Sequence, residues 1–203
     1  MSRLAKLLLT PLTTIVLAAM PLLAETPPAP AEKVDMAEMM KRAERFTKPG
    51  PEHKLLERFL GEWETEMKVM APGAPPAGEK GVATGRWLIE GRWVAIEGKG
   101  TMMGMPSKFF YLIGYDNFKM SYVTAGVSSI DTAMAHSEGD VDPATGALLS
   151  YGTIDEYLTG ENDKMVKYVW RFPDPTTLEF EVHDLPIGES NTEVVHFTYH
   201  RKK

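Results

Sequence analysis

Gly61-Glu62-Trp63-Glu64-Thr65-Glu66-Met67-Lys68-Val69 alternates without a break: Trp63, Thr65, Met67 and Val69 fall on one side, and Glu62, Glu64, Glu66 and Lys68 on the other. Successive side chains of an extended chain point to opposite faces, so this stretch reads as a strand with one buried and one wetted face. Just before it, Leu55, Leu56, Phe59 and Leu60 form a helical apolar stripe that opens at Pro51 and stops at Gly61. So short a helix is unstable alone, and its apolar side is expected to cover one end of whatever the strand belongs to. Downstream the pattern repeats strand, turn, strand, with candidates at 82–89, 92–97, 108–115, 118–124, 130–138, 147–157, 164–172, 177–183 and 192–201. The turns are spelled out by Glu90-Gly91, Asp116-Asn117 and Asp142-Pro143-Ala144-Thr145-Gly146. No helical period long enough for a crossover intervenes, so a parallel sheet is excluded. Closing the sheet on itself hides its edges. The expected fold is therefore all-β, an antiparallel up-and-down barrel of about eight to ten strands with short N-terminal helices.

With 203 residues, 43% hydrophobic and 25% charged, the chain suits one globular domain plus appendages. Its net charge of −6 repels phosphate backbones, which argues against nucleic acid as a partner. Cysteine is absent, which removes disulfides, thiolate metal sites and a cysteine nucleophile.

The appendages lie at the N-terminus. Residues 1–24 read as a cleaved signal peptide: Arg3 and Lys6 precede an apolar run from Leu7 to Ala19, and Leu22-Leu23-Ala24 closes it. The expected location is periplasmic or secreted. Residues 25–34, with Pro27, Pro28 and Pro30, read as a linker. Residues 35–48 carry Asp35 and Glu38 at capping-box spacing and Met36, Met39, Met40, Ala43 and Phe46 at helical spacing, an amphipathic helix expected to lie against the barrel. The alternative is that its 35–46 face docks on a cell-envelope partner. The barrel domain takes the remainder, 49–203.

Gly61-Glu62-Trp63 near the start of this domain and Tyr199-His200-Arg201 at its end resemble the calycin superfamily, the lipocalins and their relatives. That resemblance implies that Arg201 stacks on Trp63, with Gly61, Trp63 and Arg201 closing one end of the barrel. Pro51-Glu52-His53, Gly61-Glu62-Trp63, Gly91-Arg92, Met103-Gly104, Gly114-Tyr115-Asp116-Asn117, Tyr199 and Arg201 are similar, in order and spacing, to the bacterial family called domain of unknown function 1579. This resemblance covers roughly residues 49–203, and it implies a barrel and no particular activity.

Small barrels either fill with side chains or enclose one ligand. The residues expected to wall a ligand site are Trp87, Tyr111, Tyr115, Met134, His136, Tyr151, Tyr168 and Trp170, which join apolar area to a few orienting groups. Met102, Met103 and Met105 flank a glycine and suit a flexible lid. The expected partner is a small, mostly apolar molecule. His136 is phased with Ile130 and Met134 and is expected inside, whereas His183, His196 and His200 are expected to face water and His53 to cap a helix or lie at the surface. A copper site from the lid methionines with Met134 and His136, a haem held by His136, and an enzyme using His136 with a carboxylate are the competing readings. No catalytic motif of hydrolases, metalloproteases or phosphate-binding loops is present, and no catalytic residue, metal or cofactor is assigned. Asp140-Val141-Asp142 followed by Gly146 is similar to a calcium loop, but the fifth position is Ala144 and no glutamate closes it, so it reads as a turn.

Overall fold

A computed structural model describes residues 35–69, 77–156, 159–185 and 192–203. The expected signal peptide and linker lie outside the described residues. The barrel and the helices before it lie in one compact unit that begins at Ala37. Helix α1 spans Met36–Thr47, and a 3-10 helix spans Pro51–Phe59. Ten strands follow: β1 Gly61–Val69, β2 Ala77–Ile89, β3 Trp93–Met102, β4 Met105–Asp116, β5 Ser121–Ser128, β6 Met134–Val141, β7 Leu148–Glu156, β8 Glu161–Asp174, β9 Thr177–Asp184 and β10 Thr192–Arg201. Each strand pairs with its chain neighbours, and β1 pairs with β10, so the antiparallel meander closes. The seam runs from Trp63 opposite Arg201 to Val69 opposite Val195. Every strand is thus paired on both sides, and among the described residues the sheet has no open edge.

The short 3-10 helix plugs one end, as its apolar stripe predicts. Leu56 and Phe59 are fully buried, and Phe59 meets Trp170 and Phe172 edge-on at 5.3 and 4.9 Å. Burying side chains of this size is worth roughly 1.5–3 kcal/mol each, which offsets the poor intrinsic stability of so short a helix. His53 does cap, accepting the Gly50 N–H on Nδ1 at 3.0 Å, but it is buried and sits edge-on to Tyr115. Desolvation lowers its pKa.

Three expectations are corrected. Helix α1 forms, yet it buries no residue: Met36, Met39 and Met40 are exposed. Its C-terminal end is tied down by Phe46 against Phe118 at 4.4 Å and by Asn117 donating to the carbonyls of Arg45 and Lys48. Strand β5 starts at Ser121, three residues later than expected, because the Asp116 carboxylate accepts the N–H groups of Phe118 and Lys119 and prolongs the turn. Strand β6 starts at Met134, not Ile130, and its faces are the reverse of those expected. Thr124 pairs with Ser137, and Gly126 with Ala135, so Ala135 and Ser137 face inward. Met134 and His136 face outward.

Candidate functional site

Between the plug and the open end, the barrel encloses a cavity of about 480 Å³. Its wall is built by the inward positions of the ladder. Thr65 and Met67 of β1 are followed round the sheet by Glu79 and Gly81 of β2, then Phe109 and Tyr111 of β4. On the far side, Tyr168, Trp170, Phe180, Phe197 and Tyr199 line it from β8, β9 and β10. The indole of Trp170 stacks on Phe180 at 4.0 Å, and Phe180 lies parallel to Tyr168 at 5.8 Å. Such packing fixes the aromatic surface and leaves the space in front of it free.

The wall opposite is made of small residues, Gly126 of β5, Ala133 before β6 and Ala135 in it. At Gly126 a side chain would run into the Tyr111 ring, 2.8 Å from where its Cβ would stand. Small residues on one side and large rings on the other create the void.

Polar groups are few and placed in order. The Tyr111 hydroxyl donates to Thr124 Oγ1 at 3.0 Å, Thr124 meets Ser137 at 2.6 Å, and Ser137 donates to Ser150 at 2.9 Å. This chain of hydroxyls runs across β4, β5, β6 and β7 on the inner face. The Tyr168 hydroxyl is buried with no protein partner. Burial raises the pKa of Tyr111, Tyr168 and Tyr199, so all three keep their protons at ordinary pH and can donate. Nearer the mouth, Glu79 accepts the Gly104 N–H on Oε1 at 2.7 Å, and its Oε2 is buried without a partner. With the Trp170 indole N–H, which is also buried without a partner, the wall thus carries one orphaned acceptor and two orphaned donors, groups that a bound molecule's polar atoms could meet.

The mouth itself is charged. Asp131, Asp155 and Asp184 border it, and Asp184 is paired with Lys164 at 2.8 Å. Above it stands the β3–β4 hairpin, whose tip residues Met103 and Gly104 both take positive φ, +54° and +73°. The Gly104 bond to Glu79 latches this tip to β2.

The expected site residues divide accordingly. Tyr111, Tyr168 and Trp170 line the cavity, as do Met102 and Met103 of the expected lid. Met105, at the foot of the same hairpin, is exposed. Trp87 and Tyr115 pack on the core at the plugged end and do not reach the cavity wall. Met134, His136 and Tyr151 are corrected: all three are exposed on the outside. That dismantles the copper, haem and enzyme readings that placed His136 inside. The residues missed, Glu79, Phe180, Phe197 and Tyr199 among them, sit at inward positions that the strand pairing identifies. The one group of metal-ligating side chains among the described residues, Glu181, His183 and Glu193, lies on the outer face of β9 and β10.

The family model described as "Protein of unknown function (DUF1579)" matches residues 48–201. No curated protein matches the sequence. Among solved structures, the chain is similar to Rv2717c from M. tuberculosis, at 12% identity and a TM-score of 0.55, over 77% of this chain and 100% of that one. It is also similar to the S-type phycobiliprotein lyase CPES from Guillardia theta, at 10% identity and a TM-score of 0.50, over 74% of this chain and 92% of that one. At such identities the likeness is one of fold.

Proposed function

We propose, for a chain that belongs to the DUF1579 family, that the barrel binds a small and mostly apolar molecule in its interior. The observation that carries this is the cavity of about 480 Å³ itself, inside the range of roughly 300–1,000 Å³ typical of small-molecule sites. Its aromatic wall supplies area, Tyr168 offers a hydrogen bond deep inside, and Glu79 offers an acceptor nearer the mouth. A guest with an apolar body, an acceptor at its inner end and a donor at its outer end meets all three. One of the structural neighbours, CPES, is an S-type phycobiliprotein lyase. A barrel of related fold thus serves a lyase in another protein, and this supports the reading by analogy.

Adjacent residues test the proposal. Ala135 faces the cavity and His136 faces water. Titration with the neutral fluorescent probe N-phenyl-1-naphthylamine should show saturable binding that Ala135→Trp weakens by about tenfold or more, some 1.4 kcal/mol, while His136→Trp leaves it unchanged. Equal effects of the two substitutions would remove the interior as the site. Native mass spectrometry of protein taken from its own cells would then identify the natural guest.

Export belongs to the same proposal. It is supported by Arg3 and Lys6 ahead of the apolar run and by the small-residue end at Ala24. N-terminal sequencing of protein from fractionated cells should find a start at Glu25, and an intact Met1 in the cytoplasmic fraction would end this part. A second reading, docking of an envelope partner on α1, draws support from the exposed Met36, Met39 and Met40.

A further inference from the structure

We propose that Glu181, His183, Glu193 and His196 form a site for one divalent transition-metal ion of the zinc class on the outer face of β9 and β10. This site is independent of the cavity reading. The backbone sets it up. Glu193 pairs with His183, and His196 with Glu181, and between these pairs the register shifts by one residue at Val194. A bulge inserts one unpaired residue, so Glu193 and His196, three apart, reach the same face, where strict alternation would put them on opposite faces. The bulge thereby puts two imidazoles and two carboxylates at neighbouring register positions on two adjacent strands, with His196 joined to the other three through Glu193. It also leaves both Val194 and Val195 at the cavity wall.

The side chains converge. Single ligand atoms of Glu181, His183 and Glu193 all lie within 4.8 Å of one another. His183 Nε2 is 2.8 Å from Glu181 Oε2, and His196 Nδ1 is 3.1 Å from Glu193 Oε1. Glu181 and His183 are only 7% and 12% exposed, and Glu193 and His196 lie at the more open side. A second observation sets the group apart from an ordinary surface cluster: His183 Nδ1 is buried with no hydrogen-bond partner. The imidazole therefore has a ring nitrogen that the protein leaves unused.

Ligand chemistry selects the ion. Imidazole with carboxylate suits zinc and its neighbours, while calcium and magnesium prefer oxygen alone and copper(I) prefers thioether or thiolate. Two cations face the group from β8: Lys167 opposite His183, and Arg171, which pairs with Glu181 Oε1. An arriving ion competes with Arg171 for one carboxylate oxygen and finds Oε2 turned toward His183. Binding here would staple β9 to β10 beside the mouth.

Calorimetric titration of the untagged full chain with zinc chloride, repeated with cobalt(II) to read its visible ligand-field bands, tests the site. The expected result is one ion per chain, cobalt bands typical of mixed nitrogen and oxygen ligation, and a loss of affinity of at least about tenfold in His183→Gln and in Glu193→Gln. His200→Gln, an exposed histidine elsewhere on β10, should leave the affinity unchanged. Far-ultraviolet circular dichroism of each variant separates loss of ligand from loss of fold. No binding by the folded chain, or binding that survives both substitutions, overturns the proposal.

Discussion

Arg201 shows how much one side chain holds together. Its guanidinium carbon lies 4.1 Å from the centre of the Trp63 ring, and its nitrogens donate to the carbonyls of Leu60, Arg58 and Pro175. Trp63 in turn donates its indole N–H to the Phe59 carbonyl at 3.2 Å. The last strand, the plug helix and the β8–β9 turn thus meet at one cation. Gly61 is required there because its φ of +118° disfavours any side chain, and a Cβ would fall on the guanidinium. Arg201→Met keeps the apolar stem and removes the donors and the cation. It should lower stability by about 2–3 kcal/mol, from the lost cation–π contact and the carbonyls left without their donors, measured by urea unfolding. Probe binding at the far end of the barrel should persist in that variant under native conditions. This corner was legible because glycine, tryptophan and arginine do jobs that few other residues can do. The cavity wall was less so: Tyr111, Tyr168 and Trp170 were placed correctly, being large and phased with apolar neighbours. Met134 and His136 were not, since hydrophobicity alone draws methionine inward, and here the inward neighbours are alanine and serine.

Strands β2 and β6 explain that failure at the scale of elements. The inward positions of β2 are Glu79, Gly81, Ala83 and Gly85, and the outward ones include Val82 and Thr84, so ranking by size picks the wrong face. Each small residue has a local cause. At Gly85 a Cβ would collide with the Phe59 carbonyl of the plug, and at Gly81 with the Lys99 carbonyl across the ladder. Glu79 was missed for the same reason, because an acid beside a lysine reads as a solvated edge. Its bond to Gly104 gives the β3–β4 hairpin a latch, and the hairpin carries Met102 and Met103 over the mouth. If the tip is a lid, the latch sets how often it lifts. Glu79→Ala should speed release of N-phenyl-1-naphthylamine several-fold in stopped-flow displacement and raise amide exchange at residues 102–105. Unchanged release would reduce the hairpin to a passive rim. Helix α1 teaches the complementary lesson: its periodicity was legible and its partner was not, because an apolar stripe says that something covers it without saying what.

At the scale of the molecule, closure was the most legible property, since ten turn-punctuated strands without a crossover leave few other ways to satisfy their edges. Closure also concentrates protonated tyrosine inside. Tyr111, Tyr122, Tyr168 and Tyr199 all have pKa values raised mainly by desolvation, that of Tyr122 to about 12. In the unfolded chain a tyrosine titrates near 10, so between pH of about 10 and 12 the unfolded state sheds protons that the folded state retains. Fewer protons on the unfolded side make stability fall as pH rises, and below about pH 10 these four groups leave it flat. An alkaline titration followed by tyrosinate absorbance at 295 nm and by circular dichroism should show part of the tyrosine signal appearing only with loss of the β spectrum, in one cooperative step. If all the tyrosinate forms while the β spectrum is intact, solvent reaches the interior tyrosines freely and the packed barrel, plugged at one end, does not exist in solution.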